Sequence, residues 1–227
     1  MSSPEPASPA SPRTTDMRLR ERGRYERRTI TEILDEGLIC HVGFIDSEHP
    51  FVIPTIHARL DDTLYLHGSP GSRTLGLLKK GARACVTVTI VDALVLARSA
   101  FHHSMNYRSA VVLGELREVT DRDEKMLASK ALTDHVVPGR WDEIRWPNDD
   151  ELRKTTILAM SLDEASAKVR TGPPVDDEED YELPIWAGLL PVPVTPGAPE
   201  PDPRLPASSP VPDHVTSWDR QNVHPDD

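Results

Sequence analysis

Residues able to do chemistry gather in four stretches of this chain. The first is YLHGSPGSRTL, residues 65–75. A strand-like run ends at His67, the loop Gly68–Ser72 follows, and Arg73 stands in the first turn of a helix marked by Leu75, Leu77 and Leu78. Backbone N–H groups, the positive helix end, the hydroxyls of Ser69 and Ser72 and the Arg73 guanidinium would converge there. That is the chemistry of an anion site, most naturally for a phosphate. The plainer alternative is a strand–helix loop with Ser72 as N-cap and Arg73 in solvent. No Gly-Lys-Ser/Thr follows, so the loop is not a Walker motif.

The second stretch is LVLARSAFHHSMNYRSAVVLGEL, Leu94 to Leu116, with two apolar, β-branched ends around a middle crowded with donors. Arg98 and Arg108 bracket HHSMNY and could meet anionic groups of a ligand. Asn106 and Ser109 suit the polar edge of a ring, and Tyr107 can stack on one. His102 and His103 diverge if extended, and no Asp, Glu or Cys accompanies them at metal-ligand spacing. A polar loop between strands is the alternative. The third stretch, SAKVRTGPP, places Lys168 and Arg170 on one side of a strand end, as ligand contacts or as solvated cations. The fourth, PIWAGLLPV, is an apolar island around Trp186 inside a polar tail, and such islands dock. The sequence has no Gly-x-Ser-x-Gly elbow, dinucleotide fingerprint or catalytic Cys–His pattern.

The elements that must position these residues read mainly as strands. TITEILDEG puts Ile30, Ile33 and Leu34 on one helical face and stops at Gly37. LICHVGFID, PFVIPTIHARL and TLYLHG follow as a three-strand meander. After the short helix marked by Leu75, Leu77 and Leu78, which KKG ends, come the long strand ARACVTVTIVDALVLA, bent near Asp92, and YRSAVVLGELREV. A helix with an acidic first turn, Asp121 to Val137, and a last strand in TTILAMSLDEASAKVR complete the unit. This order predicts a mostly β fold, a six-stranded antiparallel barrel closed or nearly so, over residues 28–172.

The 227-residue chain has 22 prolines, of which four lie in the first twelve residues and thirteen from Pro173 onward. Residues 1–27 therefore read as a disordered, basic N-terminal segment, 173–195 as an extension docking on the barrel, and 196–227 as a disordered Pro-rich tail. The formal net charge is −11. RLRERGRYERR, from Arg18, is locally basic and reads as a solvated or docking arm, with no zinc finger or helix-turn-helix to suggest nucleic acid. Cys40 and Cys85 lie in apolar runs, which suits a reducing compartment. No apolar run approaches a membrane span and no signal peptide is evident, so a cytoplasmic protein is expected.

As a set, LDEGLICHVGFID, PFVIPTIHARLDDTLYLHGSPGSRTLGLLKKG, VDALVLARSAFHHSMNYRSAVVLGEL, VPGRW and SAKVRTGPPVDDEEDYELPIWAGLLP resemble the pyridoxamine 5′-phosphate oxidase-like superfamily. The nearest likeness is to its flavin-nucleotide-binding branch, which includes nitroimidazole-resistance proteins. The resemblance runs from about Arg28 to Pro191 and implies an FMN-binding split β-barrel that forms a homodimer, with flavin between the subunits. It implies that His67, Gly68, Ser69, Ser72 and Arg73 hold the FMN phosphate and that Ile53, Pro54 and Thr55 lie beside the isoalloxazine. Val86 and Thr87 would sit near its polar edge, with Asn106, Tyr107, Arg108, Ser109, Lys168, Arg170 and Trp186 completing the pocket, some of them from the partner subunit. The Arg-x-His-x-Arg-type run that follows the tryptophan in true pyridoxamine phosphate oxidases is missing. The resemblance therefore points to an FMN-dependent oxidoreductase of small aromatic or quinone-like substrates. The competing class is a flavin- or haem-binding module without turnover, its haem held by His102 or His103.

Overall fold

The computed structural model describes residues 8–16, 18–206 and 208–219. The charged arm at the start pairs briefly with the body through β1, Gly23–Arg24. α1, Arg27–Glu36, buries Ile30, Ile33 and Leu34 as its spacing predicts, and Gly37 ends it. β2, Cys40–Asp46, turns tightly into β3, His49–Thr55; β4, His57–Leu60, and β5, Thr63–Gly68, follow. α2, Arg73–Leu78, leads into β6, Arg83–Leu96, and β7, Ser104–Glu115. β8, Arg117–Glu118, precedes α3, Arg122–Val136, and α4, Asp149–Arg153. β9, Thr156–Ser161, β10, Ala165–Arg170, β11, Gly188–Pro191, and α5, Asp213–Thr216, complete the order.

All strand pairings are antiparallel, in two sheets. The large sheet runs β1-β10-β7-β6-β2-β3, with β11 on β6; the small one runs β4-β5-β9-β8. Two predicted strands prove to be two each. PFVIPTIHARL leaves the large sheet at Thr55 and enters the small one at His57, and the last strand divides at Leu162 to Glu164 into β9 and β10. These bends carry the chain between sheets and make a split barrel with more strands than the six expected, each short enough to face one core. That core holds Val42, Leu64, Leu66, Val86, Val112, Leu158 and Met160, all nearly without exposure. The predicted bend near Asp92 is a bulge between Val91 and Ala93.

The boundary expected at residue 28 moves outward. Ser11 caps a turn at Pro12–Thr14 and hydrogen-bonds Glu164, whose carboxylate also accepts from Arg13 Nε at 3.0 Å. Thr14 is buried, and Asp16 meets Lys168 at 2.8 Å. The arm is ordered there because the β9–β10 turn and β10 supply opposite charges. The first seven residues lie outside the described part. After Pro196 the tail is exposed and without regular structure as far as Pro212, yet its far end returns: Trp218 Nε1 donates to the Val136 carbonyl at 2.8 Å and His214 faces Glu143. No described helix is long and apolar enough to cross a membrane.

Candidate functional site

The loop after β5 forms as its sequence predicts. Ser72 caps α2 by accepting from Leu75 N–H, and its own N–H donates to Ser69 O at 2.9 Å. Ser69 Oγ accepts from Gly71 N–H. Each hydroxyl thus uses a lone pair inward and keeps its proton for an outside acceptor. Gly68 packs closely on α2: a Cβ there would come within 2.9 Å of the Leu75 Cδ1 methyl, which would have to shift. Arg73 is exposed, lies 4.8 Å above the Phe51 ring and is 3.6 Å from Asp46. Phe51, Ile53 and Thr55 stand opposite the core-facing Phe44, Val42 and Cys40 of β2, so they share the inner side of the barrel's split. Pro54 turns to the other face, beside His41. Sequence reading missed Phe51 and Asp46, which lie on either side of the β2–β3 turn and more than twenty residues before Arg73.

His67 is the penultimate residue of β5. Its Nδ1 is buried without a hydrogen-bond partner, and burial pushes its pKa below the usual histidine value, so the ring is neutral at pH 7. It lines a cleft of about 390 Å³ with Ile56, Leu132, Trp141, Ile144 and Ile157 as apolar walls. Trp141 is buried and stacks on Trp146 at 5.9 Å. Neither tryptophan was singled out from the sequence, since the irregular segment between α3 and α4 that carries both shows no periodicity.

The remaining predicted residues are scattered. Val86 points its side chain into the core and is fully buried; Thr87 faces outward next to His41. Asn106 is buried, donates to Gly172 O at 3.1 Å and accepts from Arg170. Tyr107 pairs with Arg170 across β7 and β10. Ser109 hydrogen-bonds Thr89 at 2.9 Å, and Lys168 is held by Asp16. Arg108 is gripped by Glu36 and Asp92, which raise its pKa despite burial. Trp186 is 69% exposed, its ring against Gly188.

The β6–β7 hairpin tip anchors the extension. Asp176 accepts from the Arg98 and Ser99 N–H groups and pairs with the Arg98 guanidinium at 3.1 Å. Burial would raise the Asp176 carboxyl, but these donors outweigh it and hold its pKa below the usual range. Arg98 also stacks over Tyr181. His103 Nδ1 contacts Ser99 O, and His102 faces Asp177 at 3.3 Å. Both histidines serve the tip and neither joins His67. Among the described residues no His, Cys, Asp and Glu cluster could hold a metal ion.

A family model described as pyridoxamine 5′-phosphate oxidase matches residues 26–169, most of the barrel. The chain belongs to this family. Among solved structures, the flavocytochrome Anf3 of Azotobacter vinelandii is 38% identical, with a TM-score of 0.86 over 92% of this chain and 98% of that one. The FAD and haem binding protein of Mycobacterium smegmatis is 36% identical, with a TM-score of 0.82 over 86% of this chain and 96% of that one. A candidate 5-nitroimidazole antibiotic resistance protein of Bacteroides thetaiotaomicron, at 24% identity and a TM-score of 0.55, covers 65% of this chain and 86% of its own; it shares the fold. The curated proteins offer no match.

Proposed function

We propose that this family member binds a flavin and a haem and works as an electron-transfer oxidoreductase. The carrying observation is His67, a neutral, buried imidazole with an unpartnered ring nitrogen, at the joint between a phosphate-type loop and a tryptophan-walled cleft. The neutral ring is the form that ligates iron, and apolar walls suit a macrocycle. The residues fit a flavin equally well: the free hydroxyl protons of Ser69 and Ser72 and the Arg73 guanidinium suit the ribityl phosphate common to FMN and FAD. Two relatives matching almost the whole chain are described as a flavocytochrome and as an FAD and haem binding protein, which favours both cofactors together and the dinucleotide over the FMN expected from sequence.

A flavin exchanges one or two electrons and a haem one, so the pair would join two-electron to one-electron chemistry. The protein's part is positional. Arg73 neutralises phosphate charge, Ile53 and Thr55 offer a ring wall, and Trp141 and Ile157 exclude water around His67. We further propose a homodimer, because Ile39, Ile45 and Val52 are exposed on the large sheet side. Two free cysteines, with Cys40 pushed up to about 12 by burial, suit a reducing cytoplasm.

The absorption spectrum of protein produced with both cofactors supplied tests the reading. His67→Ala should lose the haem Soret band and keep the flavin band. Arg73→Ala should keep the haem and weaken flavin binding by about 1–2 kcal/mol, the range for a charged hydrogen bond at an exposed site. A wild-type spectrum without either band refutes the proposal.

A further inference from the structure

β6 is longer than its partners on one edge. Residues 84–87 pair with β2 and 93–96 with β11, so residues 88–92 have no strand along that edge among the described residues. The gap is built in: Pro191 and Pro193 have no N–H, and the chain passes over β6 with the Val192 N–H to Asp92 O bond at 3.0 Å. A slot of about 660 Å³ opens there, roofed by residues 191–194 and closed at one end by the α1–β2 link.

The slot has two characters. Leu38, Ile39, Ile90, Val192 and Val194 make apolar walls. Elsewhere in its lining the Arg108 guanidinium lies between Glu36 and Asp92, with Nη2 2.7 Å from an oxygen of each. Two carboxylates thus converge on one guanidinium, and Asp92 Oδ2 receives a weaker share, from Arg108 Nε at 3.2 Å. His41 is the other titratable side chain on the slot. Arg108 Nη1 also donates to Glu36, so each carboxylate oxygen has a donor, yet two carboxylates against one guanidinium leave this part of the slot negative, and an apolar wall raises the cost of placing an anion beside it.

We propose that this slot is a further small-molecule site, taking a flat apolar compound whose polar head is a cation or a hydrogen-bond donor. His41 stands beside Pro54 and Thr87 across β3 and β6, on the face of β3 opposite Ile53 and Thr55, so the occupant would share that strand with the proposed flavin wall and lie behind it. Its standing as substrate rests on the flavin reading; the binding itself does not.

Benzamidine and benzoate, equal in shape and opposite in charge, test the proposal by calorimetry and ligand-observed NMR on the full chain. Benzamidine should bind saturably and benzoate about tenfold more weakly or worse. Asp92→Asn should erase that preference. Val194→Trp should fill the slot and abolish benzamidine binding while the flavin and haem bands stay unchanged; it decides the matter if Asp92→Asn fails to fold. Benzoate binding as well as benzamidine, or benzamidine binding that survives Val194→Trp, overturns the proposal. Benzamidine binding to a protein whose spectrum shows neither cofactor would uphold the slot and sink the flavin–haem reading.

Discussion

Replacing Arg59 with leucine should cost far more than the loss of a surface ion pair. Arg59 on β4 meets Asp35, the penultimate residue of α1, through two bonds of 2.8 and 2.7 Å, and the two side chains are 7% and 8% exposed. Its Nη1 also donates to Asp61 O at 2.8 Å. An exposed pair is worth at most about 1 kcal/mol. Here the substitution leaves a buried carboxylate without its guanidinium, so the expected loss is about 3–5 kcal/mol. Asp35→Leu with Arg59→Leu removes both charges and should recover most of the stability. Urea unfolding followed by tryptophan fluorescence measures all three. A single-variant loss below about 1 kcal/mol, or a double variant no more stable than the single, would refute the reasoning.

Gly37→Ala should destabilise by about 1–3 kcal/mol, because its Cβ would fall 2.2 Å from Cγ1 of the fully buried Val88; thermal melting checks it. Truncation after Pro212 should lower haem retention more than flavin retention, since it removes Trp218 from Val136 and His214 from Glu143, beside Trp141. Absorbance after gel filtration reads both. Lys168, foremost, and the N–H groups of Leu19 and Arg18 hold the Asp16 pKa below its usual value against burial. A depressed carboxyl pKa stabilises above the unfolded value and is lost as pH falls through the folded one. Asp16→Asn should therefore melt below the wild type at neutral pH and match it in strong acid.

Strand and helix positions were legible because burial imposes period. Gly37 as the stop of α1, the bend at Asp92 and the capping Ser72 all stand where local chemistry put them. The turn of residues 69–72 was legible for the same reason: its serines act through neighbours a few residues away, whereas the partners of Arg73, Phe51 and Asp46, lie more than twenty residues earlier. What stayed hidden depends on partners distant in sequence. Nothing local to Arg108 announces Glu36, 72 residues earlier, nor does Lys168 announce Asp16. A polar residue on a strand looks the same whether it awaits a ligand or already has a partner across the sheet. His67 and the His102–His103 pair differ for that reason: the pair was conspicuous in sequence, whereas the cleft around His67 needs residues from the Ser129–Thr133 turn of α3 and from Trp141.

β3 is the outermost strand of the large sheet, and it carries two prolines, Pro50 and Pro54. Four positions apart, both point their backbone nitrogens the same way, and with β2 paired on one side that way is toward the free edge. Of the three outward positions 50, 52 and 54, Val52 retains an N–H. An edge so depleted of donors is a poor template for another strand. Sheet-to-sheet polymerisation through β3 is thereby discouraged, although Ile45, Val52 and Ile53 would otherwise make it sticky. Copies of this chain that meet on this side must do so broadside, by laying faces together, and a broadside contact closes after two copies where an edge contact would keep growing into a fibre.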